Sequence, residues 1–153
     1  MAASSTLFSA EIQWGLAENG LQLGIDVTAT PEPALRVSLK NVGVEPRDLV
    51  IGEEGAVDLY NVEIATRNPG QPEQRVFDLP ALQVSSSSLL LPISARLQPG
   101  EVREFVYPLN QLICVVNRKD VPFRALFEHG YNVHASFEFP GVTLVTPELT
   151  YMW

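Results

Sequence analysis

Residues 131–139 read Tyr-Asn-Val-His-Ala-Ser-Phe-Glu-Phe, and this stretch decides the fold class. Tyr131, Val133, Ala135, Phe137 and Phe139 alternate with Asn132, His134, Ser136 and Glu138. A two-residue period is the mark of a strand with one oily and one wet face, because successive side chains of an extended chain point to opposite sides. Gly130 precedes the run and Pro140-Gly141 follows it, so turn-forming residues bound it on both sides.

The same period recurs toward the N-terminus. Phe8, Ala10, Ile12 and Trp14 alternate with polar residues, and Leu21, Leu23, Ile25 and Val27 do so after Asn19-Gly20. An Asn-Gly pair between two alternating runs predicts a tight hairpin. Leu35, Val37 and Leu39 form a further face ending at Asn41-Val42-Gly43, and Tyr60, Val62 and Ile64 another that closes at Asn68-Pro69-Gly70. Gln98-Pro99-Gly100 predicts a turn feeding Phe105, Tyr107 and Leu109, and Leu149, Tyr151 and Trp153 share the last face. Residues 71–97 carry flat patterning, which specifies register weakly; they are expected to form a long connection with one or two short strands. One helical exception is expected near 120–129, with Asp120 as cap, Pro122 in the first turn, Phe123, Leu126 and Phe127 at helical spacing, and Gly130 at the end.

Many strands and one short helix predict a single all-β domain over residues 1–153, an antiparallel two-sheet sandwich with an immunoglobulin-like arrangement. A chain of 153 residues buries enough surface to fold without disulfides or metals. The net charge of −8 argues against nucleic-acid backbones and anionic membranes as partners. No run approaches the length of a membrane span, and Met1–Ala10 has neither the basic nor the apolar segment of a signal peptide. Membrane insertion is therefore not expected, and the compartment is left open. Cys114 is the single cysteine and lies among Leu112, Ile113, Val115 and Val116, which points to a buried structural thiol.

Three stretches, Leu35–Gly43 (LRVSLKNVG), Leu97–Phe105 (LQPGEVREF) and Gly130–Phe137 (GYNVHASF), together resemble bacterial immunoglobulin-like or fibronectin-III-like accessory β-sandwiches. The pattern is also similar to small intracellular proteinase-inhibitor-like sandwiches. The resemblance implies a sandwich whose work is binding. The chain departs from the antibody pattern, since Cys114 has no partner for an inter-sheet disulfide and neither Trp14 nor Trp153 stands where a central core tryptophan would. Tyr131 fits either a tyrosine corner or a half-buried aromatic.

Catalytic and cofactor chemistry finds little support, and no catalytic, cofactor-binding or metal-binding residue is assigned. His134 has Ser136 and Glu138 on its own face, but Glu138 lies roughly 13 Å along an extended strand, too far for direct contact. His129 follows Glu128 and suits the last carbonyls of the expected helix. One cysteine and two histidines without paired spacing fall short of a zinc site. Glu53, Glu54 and Asp58 cluster beside Gly52 and Gly55 in an expected loop, without the regular alternation of a calcium loop and without a phosphate-cradling glycine pattern.

The leading expectation is a non-catalytic interaction, accessory or structural module that binds another protein or an adjoining domain through an open sheet edge or end loops. Two alternatives stand beside it. One is a protease-inhibitor-like domain presenting residues 71–88; the other is a carbohydrate-binding module using exposed aromatics among Trp14, Tyr60, Tyr107, Tyr151 and Trp153.

Overall fold

The computed structural model describes residues 11–28, 33–54, 62–67, 72–78, 91–116, 118–123, 131–139 and 142–151. Thirteen strands and one short 3₁₀ turn, Leu109–Gln111, are assigned among them. All strand pairs are antiparallel, so the chain is all-β and sandwich-like, as the two-residue periodicity requires.

A four-stranded sheet runs in the order β1 (Gln13–Trp14), β2 (Leu21–Thr28), β3 (Ala34–Asn41), β8 (Val102–Pro108). The larger sheet has the order β10 (Lys119–Pro122), β9 (Leu112–Val116), β6 (Gln74–Asp78), β5 (Val62–Arg67), β11 (Tyr131–Phe139). The far edge of β11 is shared by β12 (Val142–Val145) along Ser136–Phe139 and β13 (Leu149–Tyr151) along Tyr131–Val133. A third, two-stranded ribbon joins β4 (Arg47–Glu54) to β7 (Leu91–Leu97).

One apolar cluster unites all three. Leu21, Leu23, Ile25 and Val27 of β2 meet Leu35, Val37 and Leu39 of β3, Phe105 of β8, Leu49 and Ile51 of β4, and Val133, Ala135 and Phe137 of β11. The alternation in 131–139 is thereby realised: Val133, Ala135 and Phe137 are fully buried, while Asn132, His134, Ser136 and Glu138 lie on the other face. Cys114 is buried in this cluster and unpaired, and loss of hydration raises its thiol pKa to about 11.

The turns follow their chemistry. Asn19 and Gly20 both adopt positive φ, 52° and 77°, and Glu18 and Leu21 exchange backbone bonds of 2.8 and 3.0 Å, which is a two-residue type I′ hairpin. Glu101 N–H donates to Gln98 C=O at 2.9 Å, with Gly100 at φ 82°, the geometry of a type II turn with proline in its preferred place.

Three expectations are corrected. Asp120 and Pro122 lie before the helical residues and not within them: they pair with Val115 and Ile113 in β10, Phe123 is helical, and residues 124–130 lie outside the described ones. Glu53 and Glu54 belong to β4, opposite Pro92 and Leu91, and not to a loop. Trp14 pairs directly with Gly24, so it shares the outer face of the small sheet with Asp26 and not the oily face of Leu23 and Ile25. A Cβ on Gly24 would sit 2.7 Å from the Trp14 ring and 2.4 Å from Ile12, so glycine is what lets both side chains lie flat on the sheet. Lys40 Nζ stands 5.7 Å from the centre of the same ring, within cation–π range.

Candidate functional site

Strands β3 and β4 pair in sequence with β8 and β7, as one antiparallel ribbon that passes from the four-stranded sheet into the separate two-stranded one. On one side of the crossing Lys40 faces Val102; on the other Arg47 faces Leu97. Between them the ladder must break, because residues 41–46 stand against only 98–101. A break at the edge of the core strands backbone polar groups, costly where they are buried and left unpaired.

Asn41 fills the break. Its side-chain amide donates to Glu45 C=O at 2.8 Å and to Leu97 C=O at 2.9 Å, while its side-chain oxygen accepts from Gly43 N–H at 2.9 Å. Its backbone N–H donates to Glu101 C=O and its carbonyl accepts from Gly100 N–H, at 3.1 and 2.7 Å. Asn41 is fully buried, so every polar group it brings inside is satisfied. The adjoining hairpin is tied in as well: Val42 N–H donates to Gly20 C=O at 2.9 Å, and Arg47 donates to Asn19 C=O.

What this end presents is apolar. Three residues after β1, Gly15 to Ala17, stand opposite two, Gln22 and Leu23, a bulge that turns Leu16 outward at 85% exposure. Val44, in the segment held by Asn41, is 92% exposed, and Val42 is exposed beside it. Glu18, Glu45 and Glu101 are exposed around them. Large aliphatic side chains this far into water, that of Val44 on a backbone held by the Asn41 hydrogen bonds, have no packing role.

The outer face of the large sheet is polar by contrast. His134 Nδ1 lies 3.4 Å from Glu73 Oε1, reaching over Ala65, which pairs directly with His134. The contact expected to be impossible, His134 with Glu138, is not made. Arg67 forms a two-pronged pair with Glu148 at 3.0 and 2.8 Å, which raises its pKa, and Thr150 donates to Asn132 at 2.9 Å. A histidine thus meets a carboxylate, yet among the described residues no hydroxyl or thiol is hydrogen-bonded to its second nitrogen, as a nucleophile–base pair needs. Ser136 shares the face without such a bond.

Among the described residues no three His, Cys, Asp or Glu side chains converge on a metal position, and no helix is long and apolar enough to cross a membrane. A shallow, open depression over β4 and β7 is lined by Asp48, Val50, Ser94 and Arg96, and Arg96 is paired there with Asp48 at 3.1 Å. The 71–88 loop considered as an inhibitory loop is partly β6, whose Gln74–Val76 segment is paired with β5; residues 79–90 are outside the described ones. Trp14 is half-buried on Gly24. His129, Asp58, Gly55, Tyr60 and Trp153 are outside the described residues, as are the side chains of Glu53, Glu54, Tyr131 and Tyr151.

Sequence reasoning recognised Asn41-Val42-Gly43 as a turn and missed its role as a junction. The available signal was an asparagine ending an alternating strand, a residue type that bonds nearby backbone; its distant partner Leu97 leaves no local trace. Comparison with protein-family models, with curated proteins and with solved structures finds no match.

Proposed function

We propose that this chain is a non-catalytic β-sandwich module that binds another protein or an adjoining domain through the loop end built on Asn41. The supporting observation is the pairing of rigidity with exposure: Leu16 and Val44 stand in water at 85% and 92%, while the segment beneath Val44 is held by the full hydrogen-bonding complement of Asn41. Preorganised apolar anchors with a polar rim are what an interface uses, because little conformational entropy remains to be lost on docking. The acidic rim of Glu18, Glu45 and Glu101 favours a partner whose contact surface is apolar at its centre and basic around it. The resemblance of the 35–43, 97–105 and 130–137 stretches to accessory sandwiches agrees with a binding role.

The test is affinity capture from the native source with the wild-type chain and a Leu16→Asp/Val44→Asp double variant, both checked for unchanged thermal unfolding. A partner retained by the wild type and lost by the variant is expected. A partner set identical for the two proteins would overturn the reading.

A further inference from the structure

The far side of β8 has no strand against it among the described residues, since the small sheet ends there. The backbone bonds at both ends of the strand fix which groups face that open side. Asn41 N–H donates to Glu101 C=O and Leu109 N–H donates to Pro33 C=O, at 3.1 and 3.0 Å, and the β3–β8 register runs between them without a shift. In an antiparallel ladder, hydrogen-bonded pairs alternate with non-bonded ones. Residues 103, 105 and 107 therefore bond inward to β3, and Val102, Glu104 and Val106 turn their N–H and C=O groups outward. Their side chains share the outer face with Arg36, because Arg36 pairs with Val106. Val102 and Val106 are 38% and 57% exposed.

We propose that β8 pairs antiparallel with β8 of a second copy of this chain, about a two-fold axis at Glu104. Only an even register lets outward-facing groups meet outward-facing groups. Centring the axis one residue later would set Val102 against Pro108, which has no N–H; one residue earlier would set Val106 against Gly100, in the turn. The register centred on Glu104 gives every outward N–H and C=O of Val102, Glu104 and Val106 a partner. It also sets the exposed Val102 of each copy beside Val106 of the other, so apolar meets apolar across the seam.

The two Glu104 carboxylates face one another in this pairing, a destabilising contact by itself. Arg36 offsets it from each side: Nη1 is 3.4 Å from Glu104, and the same guanidinium is held by buried Asp26 at 2.8 and 2.5 Å. Glu104 thus limits the strength of the dimer while the backbone defines its geometry. This proposal is independent of the Asn41 loop end, which lies beyond the end of the ladder, so either reading can fail alone.

Sedimentation across a concentration series tests it. Wild type is expected to associate reversibly with a dissociation constant of about 10–100 μM, as a small seam does, and more tightly as added salt screens the net charge of −8. Val106→Pro removes only an outward N–H, a change edge strands tolerate, and should leave the thermal midpoint of the dilute monomer in place while abolishing the dimer. Val102→Asp should do the same by adding charge at the seam, and serves if the proline variant folds poorly. Glu104→Gln should tighten association about threefold, the size of a relieved cross-strand repulsion. A wild type that stays monomeric to about 1 mM, or a dimer indifferent to all three substitutions, overturns the proposal.

Discussion

Two of the ladder interruptions among the described residues, at Asn41 and at Thr146, solve the same problem at different scales. At Asn41 the ribbon changes sheets, and one amide side chain with its own backbone satisfies five groups from three segments. At Thr146 the interruption is smaller: β12 stops, β13 begins, and both lie along β11. There Thr146 N–H donates to Ala135 C=O at 2.9 Å, while Ala135 N–H donates to the Thr146 hydroxyl at 2.9 Å. A hydroxyl stands in for one missing carbonyl. The backbone at Gly15 closes over this seam, since a Cβ there would lie 2.0 Å from Val145 O. A break costs in proportion to the backbone groups it strands, and the polar side chain chosen matches that number.

Asn41→Ala should show the larger effect. It would leave the carbonyl of Leu97 without its partner in a buried site, and Gly43 N–H and the carbonyl of Glu45 without theirs in a partly buried one, a loss of about 3 kcal/mol in urea unfolding. A loss under about 1 kcal/mol would mean that water replaces the amide and the corner is not sealed. Gly15→Ala comes next, at about 2 kcal/mol, because its methyl meets backbone and not a side chain that can move aside. Thr146→Val keeps the shape and deletes the hydroxyl, so Ala135 N–H alone is orphaned and about 1–2 kcal/mol should be lost. If Thr146→Val proved as costly as Asn41→Ala, the proportionality between stranded groups and cost would be broken.

Ser38 sharpens the comparison from the other direction. It is fully buried opposite Gly24, and its hydroxyl has no hydrogen-bond partner. Ser38→Ala should therefore leave stability unchanged or raise it by up to about 1 kcal/mol, readable as a small upward shift of the thermal midpoint. A marked destabilisation would contradict the contrast between a partnered and an unpartnered buried polar group.

The strands that were legible in sequence are those with one buried face and no interruption. The β2, β3, β8 and β11 segments alternate cleanly, and Asn19-Gly20 announced its own turn. The β4 strand was invisible because Leu49, Val50 and Ile51 run together and the register shifts between Val50 and Gly52, so the bulge erases the period and Gly52-Glu53-Glu54 mimics a loop. In β9, Leu112 to Val116 is apolar throughout, leaving no alternation to read. Asp120-Val121-Pro122 carries the signals of a helix start, but pairing with Ile113 to Val115 keeps these three residues extended, and helical backbone begins at Phe123. The junction residues were hidden for a different reason. Asn41 and Thr146 act on backbone from distant segments, and Glu73 reaches His134 across an intervening strand, relations that depend on the fold and leave no spacing in the chain.

The claim on which the binding reading rests is that the loop end around Asn41 is as rigid as the core. Amide hydrogen exchange tests it directly. The N–H groups of Val42, Gly43 and Gly100, all bonded within the corner, are predicted to exchange nearly as slowly as those of Leu23 and Ile25 in β2. Exchange at the rate of open loop amides would contradict the account, since Val44 would then stand on a segment too loose to present it.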